Sequence, residues 1–243
     1  MLVRGFPAQA FDTNCYVVAP APGEQCVVVD PGIGVQDQLD EVLREQRLQP
    51  VAVLLTHGHL DHTFSVTPVC GARGIPAWIH PEDRDQLEDP VKYLSSGTAE
   101  LFGGRLQWSA PDDVRLLDPA TPLEVAGLRI GIDFAPGHTA GSVVFRLPGH
   151  EEDGEATPPL LLSGDVLFAG SIGRTDLPGG SWEQMQASLA SVILPMADET
   201  VVLPGHGGST TIGRERATNP YLQGLAPPGS AAGPSPAPPA RGL

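Results

Sequence analysis

Apolar positions fall in short runs broken by Pro/Gly turns, and their spacing predicts alternating strands and helices. Residues 14–19 and 25–30 are each rich in β-branched and aromatic side chains and are joined by a Pro/Gly turn, which predicts a β-hairpin. Val35, Leu39, Val42 and Leu43 then recur at helical spacing among Asp, Glu and Gln, so 35–46 reads as an amphipathic helix with one face on a sheet. The run Val51-Ala52-Val53-Leu54-Leu55 has no polar alternation and reads as a strand buried on both faces.

The second half repeats this grammar. Runs at 128–134, 142–146, 160–162 and 201–203 predict strands. A helix over 182–192, with Met185, Leu189 and Val192 on one face, separates the last two, and 211–218 reads as a short closing helix. The acidic stretch 151–155 reads as a solvated loop between strands. Residues 226–243 are almost wholly Ala, Pro, Gly and Ser, which bury too little apolar surface to offset their ordering entropy. The expected organisation is one folded domain over 1–225 and a disordered tail over 226–243.

Composition narrows the partners. A chain of 243 residues with 41% apolar content is long enough for one sizeable core. The net charge of -15 opposes phosphate backbones and anionic lipid heads, so neither a nucleic acid nor a membrane partner is expected. No stretch approaches ~20 consecutive apolar residues, and residues 1–7 lack a charged region followed by an apolar one, so a cytoplasmic location is expected. Cys15, Cys26 and Cys70 form no C-x-x-C pair, which argues against a disulfide framework or a thiolate metal site.

The chemistry lies at the strand ends. Thr56-His57-Gly58-His59-Leu60-Asp61-His62 follows the buried run directly and packs three imidazoles and a carboxylate into one turn. These are nitrogen and oxygen ligands suited to zinc and neighbouring divalent metals. With Gly58 permitting a tight turn, His57 and His59 can face one ion while Asp61 and His62 face a second. His138, Asp165 and His206 each follow a glycine at the edge of a predicted strand. Each residue alone is most simply a hydrogen-bonded structural group, but the set supplies two three-residue nests and one further carboxylate, the inventory of a two-metal hydrolytic site. His80 and His150 lie outside these edges and read as surface residues.

Over about residues 14–222 the pattern resembles the metallo-β-lactamase superfamily, and within it the small glyoxalase II-like branch. The loop Gly170-Ser171-Ile172-Gly173-Arg174-Thr175-Asp176 and the segments Thr210-Thr211-Ile212-Gly213-Arg214 and Thr218-Asn219-Pro220 carry the narrower likeness. The resemblance implies an α/β (α+β) fold, a four-layer αββα sandwich of two mixed sheets flanked by helices, with metals at one edge. It also implies that His57, His59 and His138 bind one metal, that Asp61, His62 and His206 bind another, and that Asp165 bridges them. Asp30 would orient the metal loop by hydrogen bonding, Asp61 would also orient the nucleophile, and Arg174 would hold an anionic substrate.

The function so implied is hydrolysis of a thioester, such as S-lactoylglutathione or a related thiol conjugate, by hydroxide bridging two divalent ions, zinc foremost, with iron or manganese also accepted by such donors. Asp176 and Ser209 stand about where glutathione-binding enzymes of the branch place tyrosines, so the thiol carrier is left open. Persulfide dioxygenases of the same superfamily share the Gly-Arg-Thr-Asp loop and use one iron held by residues matching His57, His138 and Asp165, which is the alternative reading. A β-lactamase-like hydrolase is a lesser one. No G-x-S-x-G nucleophile elbow is present, and Asp37 replaces the third glycine of a dinucleotide loop after Gly32-Ile33-Gly34.

Overall fold

Strand alternation sorts the apolar side chains onto two faces of each sheet, and four layers follow from burying all of those faces. The computed structural model describes residues 1–94, 108–152 and 155–225. The first sheet runs in sequence order: β1 (Leu2–Pro7), β2 (Asn14–Ala19), β3 (Gln25–Val29), β4 (Gln49–Leu54), β5 (Ala77–Ile79) and β6 (Val114–Leu116). β1, β2 and β3 pair antiparallel, whereas β3 to β6 pair parallel.

The second sheet is built from β7 (Leu123–Val125), β8 (Leu128–Phe134), β9 (Val143–Leu147), β12 (Leu160–Gly164), β13 (Val201–Pro204) and β14 (Thr210–Thr211), in the spatial order β14-β13-β12-β9-β8-β7. Only β12 and β13 are parallel neighbours there. Between β9 and β12 a two-stranded hairpin, β10 (His150–Glu152) and β11 (Glu155–Thr157), occupies the stretch expected as a plain acidic loop. The expected tail over 226–243 lies outside the described residues.

Three apolar clusters separate the four layers. Val27, Val29 and Leu54 from the first sheet meet Ile130, Val143, Phe145 and Leu162 from the second, forming the core between the sheets. The alternate residues Cys26, Val28 and Val53 face outward, under Leu39 and Leu43 of α1 (Gln36–Gln46) and Val66 and Val69 of α3 (Val66–Arg73). A single helical turn, α2 (Leu60–Thr63), precedes α3. On the far side, Val144, Leu161 and Val202 pack against Met185, which lies on α5 (Trp182–Ser188), and against Leu189 and Ile193 just beyond it. A one-turn α4 (Arg84–Glu88) follows β5, and α6 (Ile212–Thr218) closes the described chain.

The differences from the sequence reading are local. The helix expected over 182–192 is α-helical only to Ser188, after which Leu189–Ile193 widens into a π turn. Asp30 lies beyond β3 because its backbone turns left-handed (φ 50°). β4 starts exposed at Gln49 and is fully enclosed only from Ala52 onward. No helix among the described residues is long and apolar enough to cross a membrane.

Phe145 is fully buried between the sheets. Phe145→Ala should cost about 3–5 kcal/mol of unfolding free energy, read from the midpoint and slope of a urea melt.

Candidate metal centre

Every sequence-predicted ligand follows the C-terminal end of a strand, and sheet topology makes those ends coincide. β8 and β12 both run antiparallel to β9, and β13 runs parallel to β12, so His138, Asp165 and His206 emerge at one edge of the second sheet. β4 delivers Thr56 to the same edge, where the Val143 N–H donates to the Thr56 carbonyl at 2.9 Å. On the other side the Asn14 N–H donates to the Gly205 carbonyl at 2.7 Å, and the Tyr16 hydroxyl to the Pro204 carbonyl at 2.8 Å. The two sheets are thus tied together around the cluster.

Among the described residues, three groups have ligand atoms within 4.8 Å of one another: His57, His59 and His138; His57, His62 and Asp165; and Asp61, His62 and His206. His59 Nδ1 lies 2.8 Å from His138 Nε2. Asp165 spans the groups, with Oδ1 3.3 Å from His62 Nε2 and Oδ2 3.5 Å and 3.6 Å from the Nε2 atoms of His138 and His206. Asp61 Oδ2 is 3.3 Å from His206 Nε2 and accepts from the Thr13 hydroxyl at 3.1 Å.

The opposite ring atoms are held. His62 Nδ1 lies 3.0 Å from Asp30 Oδ2, His138 Nδ1 2.7 Å from the Arg174 carbonyl, and His206 Nδ1 3.0 Å from the Phe11 carbonyl. Asp30 also accepts from the Thr56 N–H at 2.8 Å and the Thr56 hydroxyl at 2.6 Å. An Nδ1–H donated outward leaves Nε2 as the lone-pair side facing inward.

That inward side supplies the test for a metal. His57 Nε2, His62 Nε2 and Asp165 Oδ1 are buried without a hydrogen-bond partner, although their residues form one of the three groups. Partnerless buried polar atoms are costly, and divalent cations held in the two nests, with Asp165 between them, would satisfy all three. Charge agrees. Burial, reinforced by the neighbouring imidazoles, pushes the His57 pKa well below the ordinary histidine value, and burial with His138 lowers His59 to about 3. Burial opposes charge on Asp61 and Asp165, yet neighbouring histidines, His62 foremost, hold Asp61 well below the usual carboxylate range and Asp165 at about 2. Burial likewise opposes charge on His62, but Asp165 and Asp61 outweigh it and raise its pKa. Neutral His57 and His59 and ionised Asp61 and Asp165 are in the protonation states that metal ligands require, and His62, held protonated by its carboxylates, would give up that proton to a metal.

Comparison with known proteins decides the family. The metallo-β-lactamase superfamily model matches residues 8–206. A Mycobacterium tuberculosis protein described as uncharacterized is 45% identical over 226 residues, covering 93% of this chain and 99% of its own. The chain belongs to the metallo-β-lactamase superfamily. Hydroxyacylglutathione hydrolase GloC of Haemophilus influenzae is 30% identical over 226 residues, covering 91% of this chain and 98% of that one. Among solved structures, BLEG-1 B3 metallo-beta-lactamase aligns with TM-score 0.78 and 37% identity over 92% of this chain and all of the other. The di-iron-bound form of TTHA1623 aligns with TM-score 0.67 and 33% identity over 90% of this chain and all of the other.

Within this superfamily member, two expected roles look different in the structure. Arg174 meets the histidine cluster through its backbone carbonyl, while its guanidinium is engaged bidentately by Asp176, at 2.7 Å from Nε and 2.9 Å from Nη2. Gly58 does not adopt a positive φ; it is required because a Cβ there would lie 2.6 Å from Gln86 Cβ. His80 is not a surface residue: it follows β5, is buried, caps the turn Pro81–Asp83 by accepting from the Glu82 N–H, and stacks on Phe134 with ring centroids 4.5 Å apart. His150 opens β10. Thr13, Phe11 and Asp83 were not foreseen, since none belongs to a metal-ligand motif and each acts through contacts distant in sequence.

Protein loaded with zinc and freed of excess metal should retain about two ions per chain by elemental analysis. Asp165→Ala should lower that to about one or fewer, because it removes the carboxylate that lies beside His62, His138 and His206.

Proposed function

We propose that the protein is a metal-dependent hydrolase that holds two divalent ions, zinc foremost, and cleaves a thioester formed on a low-molecular-weight thiol. The observation that carries the two-ion reading is Asp165, which lies within 3.6 Å of His62, His138 and His206 and so touches residues of both nests. His57, His59 and His138 would hold one ion, Asp61, His62 and His206 the other, with Asp165 between. Bound there, the ions would supply a low-pKa water and a Lewis acid for the substrate carbonyl.

The protein's own groups account for the remaining work. Asp61 is partly open to solvent (26% of its side chain), ionised, and held in place by Thr13, so it can accept a hydrogen bond from the attacking water and fix its direction. Thiolate is a good leaving group, so a thioester demands no separate general acid. Asp30 fixes His62 from behind. Arg174 would hold an anionic part of the substrate through N–H groups other than the two engaged by Asp176. Similarity to GloC supports the thioester. A second reading, β-lactam hydrolysis, is favoured by the similarity to BLEG-1, and the donor set accepts iron as readily as zinc.

Zinc-loaded protein is expected to release free thiol from S-lactoylglutathione or another acylated thiol, followed with a thiol reagent, and to lose this activity with a chelator. Full activity without metal would refute the proposal. Turnover of a chromogenic cephalosporin without thioesterase activity would select the second reading, and oxygen uptake with a persulfide at about one iron per chain would select a dioxygenase. His206→Ala should lower thioester turnover by roughly a hundredfold or more. Arg174→Ala should raise KM for anionic thioesters by roughly tenfold, with kcat nearly unchanged.

A further inference from the structure

We propose that Asp83 is the positioning residue for the first-ion nest: one buried carboxylate that locks the two loops carrying His57, His59 and His138 into a single geometry. The inference rests on those histidines holding an ion and is independent of the substrate. Asp83 ends a short 3-10 turn after β5 and is fully buried. Its Oδ2 accepts from the Gly58 N–H at 2.8 Å and the Thr139 hydroxyl at 2.6 Å. Its Oδ1 accepts from the Gly141 N–H at 2.7 Å and the Gln86 side-chain amide at 3.0 Å.

Three of the four donors are N–H groups, which can only donate, so both oxygens are committed as acceptors. Gly58 sits between His57 and His59, and Thr139 follows His138, so one side chain fixes the backbone beside all three ligands across a large sequence separation. Closeness matters too: a Cβ at Gly141 would lie 2.6 Å from the Asp83 carboxyl carbon. Glycine is therefore dictated there by the clamp. The other nest is held differently, by Thr13 on Asp61, Asp30 on His62 and the Phe11 carbonyl on His206. Loss of Asp83 should consequently be felt by one ion and not by both.

The test uses the full-length protein and zinc alone, titrated against a coloured chelator with elemental analysis alongside. Asp83→Asn places an amide N–H where donors already point, and should weaken one of the two zinc ions by roughly tenfold or more while leaving the other at wild-type affinity. Introduced into His206→Ala, where only the first ion should remain, it should weaken that remaining ion by the same roughly tenfold or more. Thr139→Val deletes one of the four hydrogen bonds and keeps the carboxylate; it should weaken the same ion, and Thr139→Ser should restore it, so this pair carries the test if Asp83→Asn fails to fold. Wild-type zinc affinity in Asp83→Asn and Thr139→Val, or equal weakening of both ions, would overturn the proposal. A wild-type protein that binds no zinc would instead overturn the metal reading on which it rests.

Discussion

His57 Nε2, His62 Nε2 and Asp165 Oδ1 are buried together at the sheet edge, each without a hydrogen-bond partner. Left so, each would cost on the order of 1–3 kcal/mol, and a fold that retains such a defect must have an external group to cancel it. Much of the surrounding architecture maintains this arrangement. Thr56, Asp30, and the carbonyls of Phe11 and Arg174 occupy the outer ring nitrogens, so the inner ones remain available. The sheet strands contribute direction: three parallel-running ends in one sheet and β4 in the other deliver ligands to a shared rim.

Enclosure differs between the two nests. His57, His59 and His138 are buried, whereas Asp61 and His206 have about a quarter to a third of their side chains exposed (26% and 30%). The site is therefore open on the Asp61 and His206 side, near Phe168, whose ring lies edge-on to His206 with centroids 6.0 Å apart.

Sequence patterning reached the parts of this protein that are written locally. The β4 run and the residues that follow it are contiguous, so their strand and ligand character could be read together. β8, β9, β12 and β13 were equally legible because each is a compact apolar run ending beside a glycine. β1, with Arg4 and Gly5 inside it, and three-residue strands such as β5 carry too little periodicity to stand out. α3 contains Pro68, tolerated only because it falls in the first turn, and offers a weak apolar stripe. Asp83 looked like one more acid in an acidic turn; its four donors come from loops that no local pattern connects to it. Gly58 showed the right residue for another reason, close packing instead of backbone conformation.

The bridge between Thr13 and His206 has a consequence for biosynthesis. It joins the first hairpin to the end of β13, so residues 13 to 206 must all have emerged before the rim can close. A nascent chain released to residue 140 would expose imidazoles and buried-sheet edges with no completed nest to quench them. Such a species depends on the late strands for protection, and metal arriving early would meet a flexible, promiscuous chelator. A complete ligand set therefore requires every segment from His57 to His206 to be folded together.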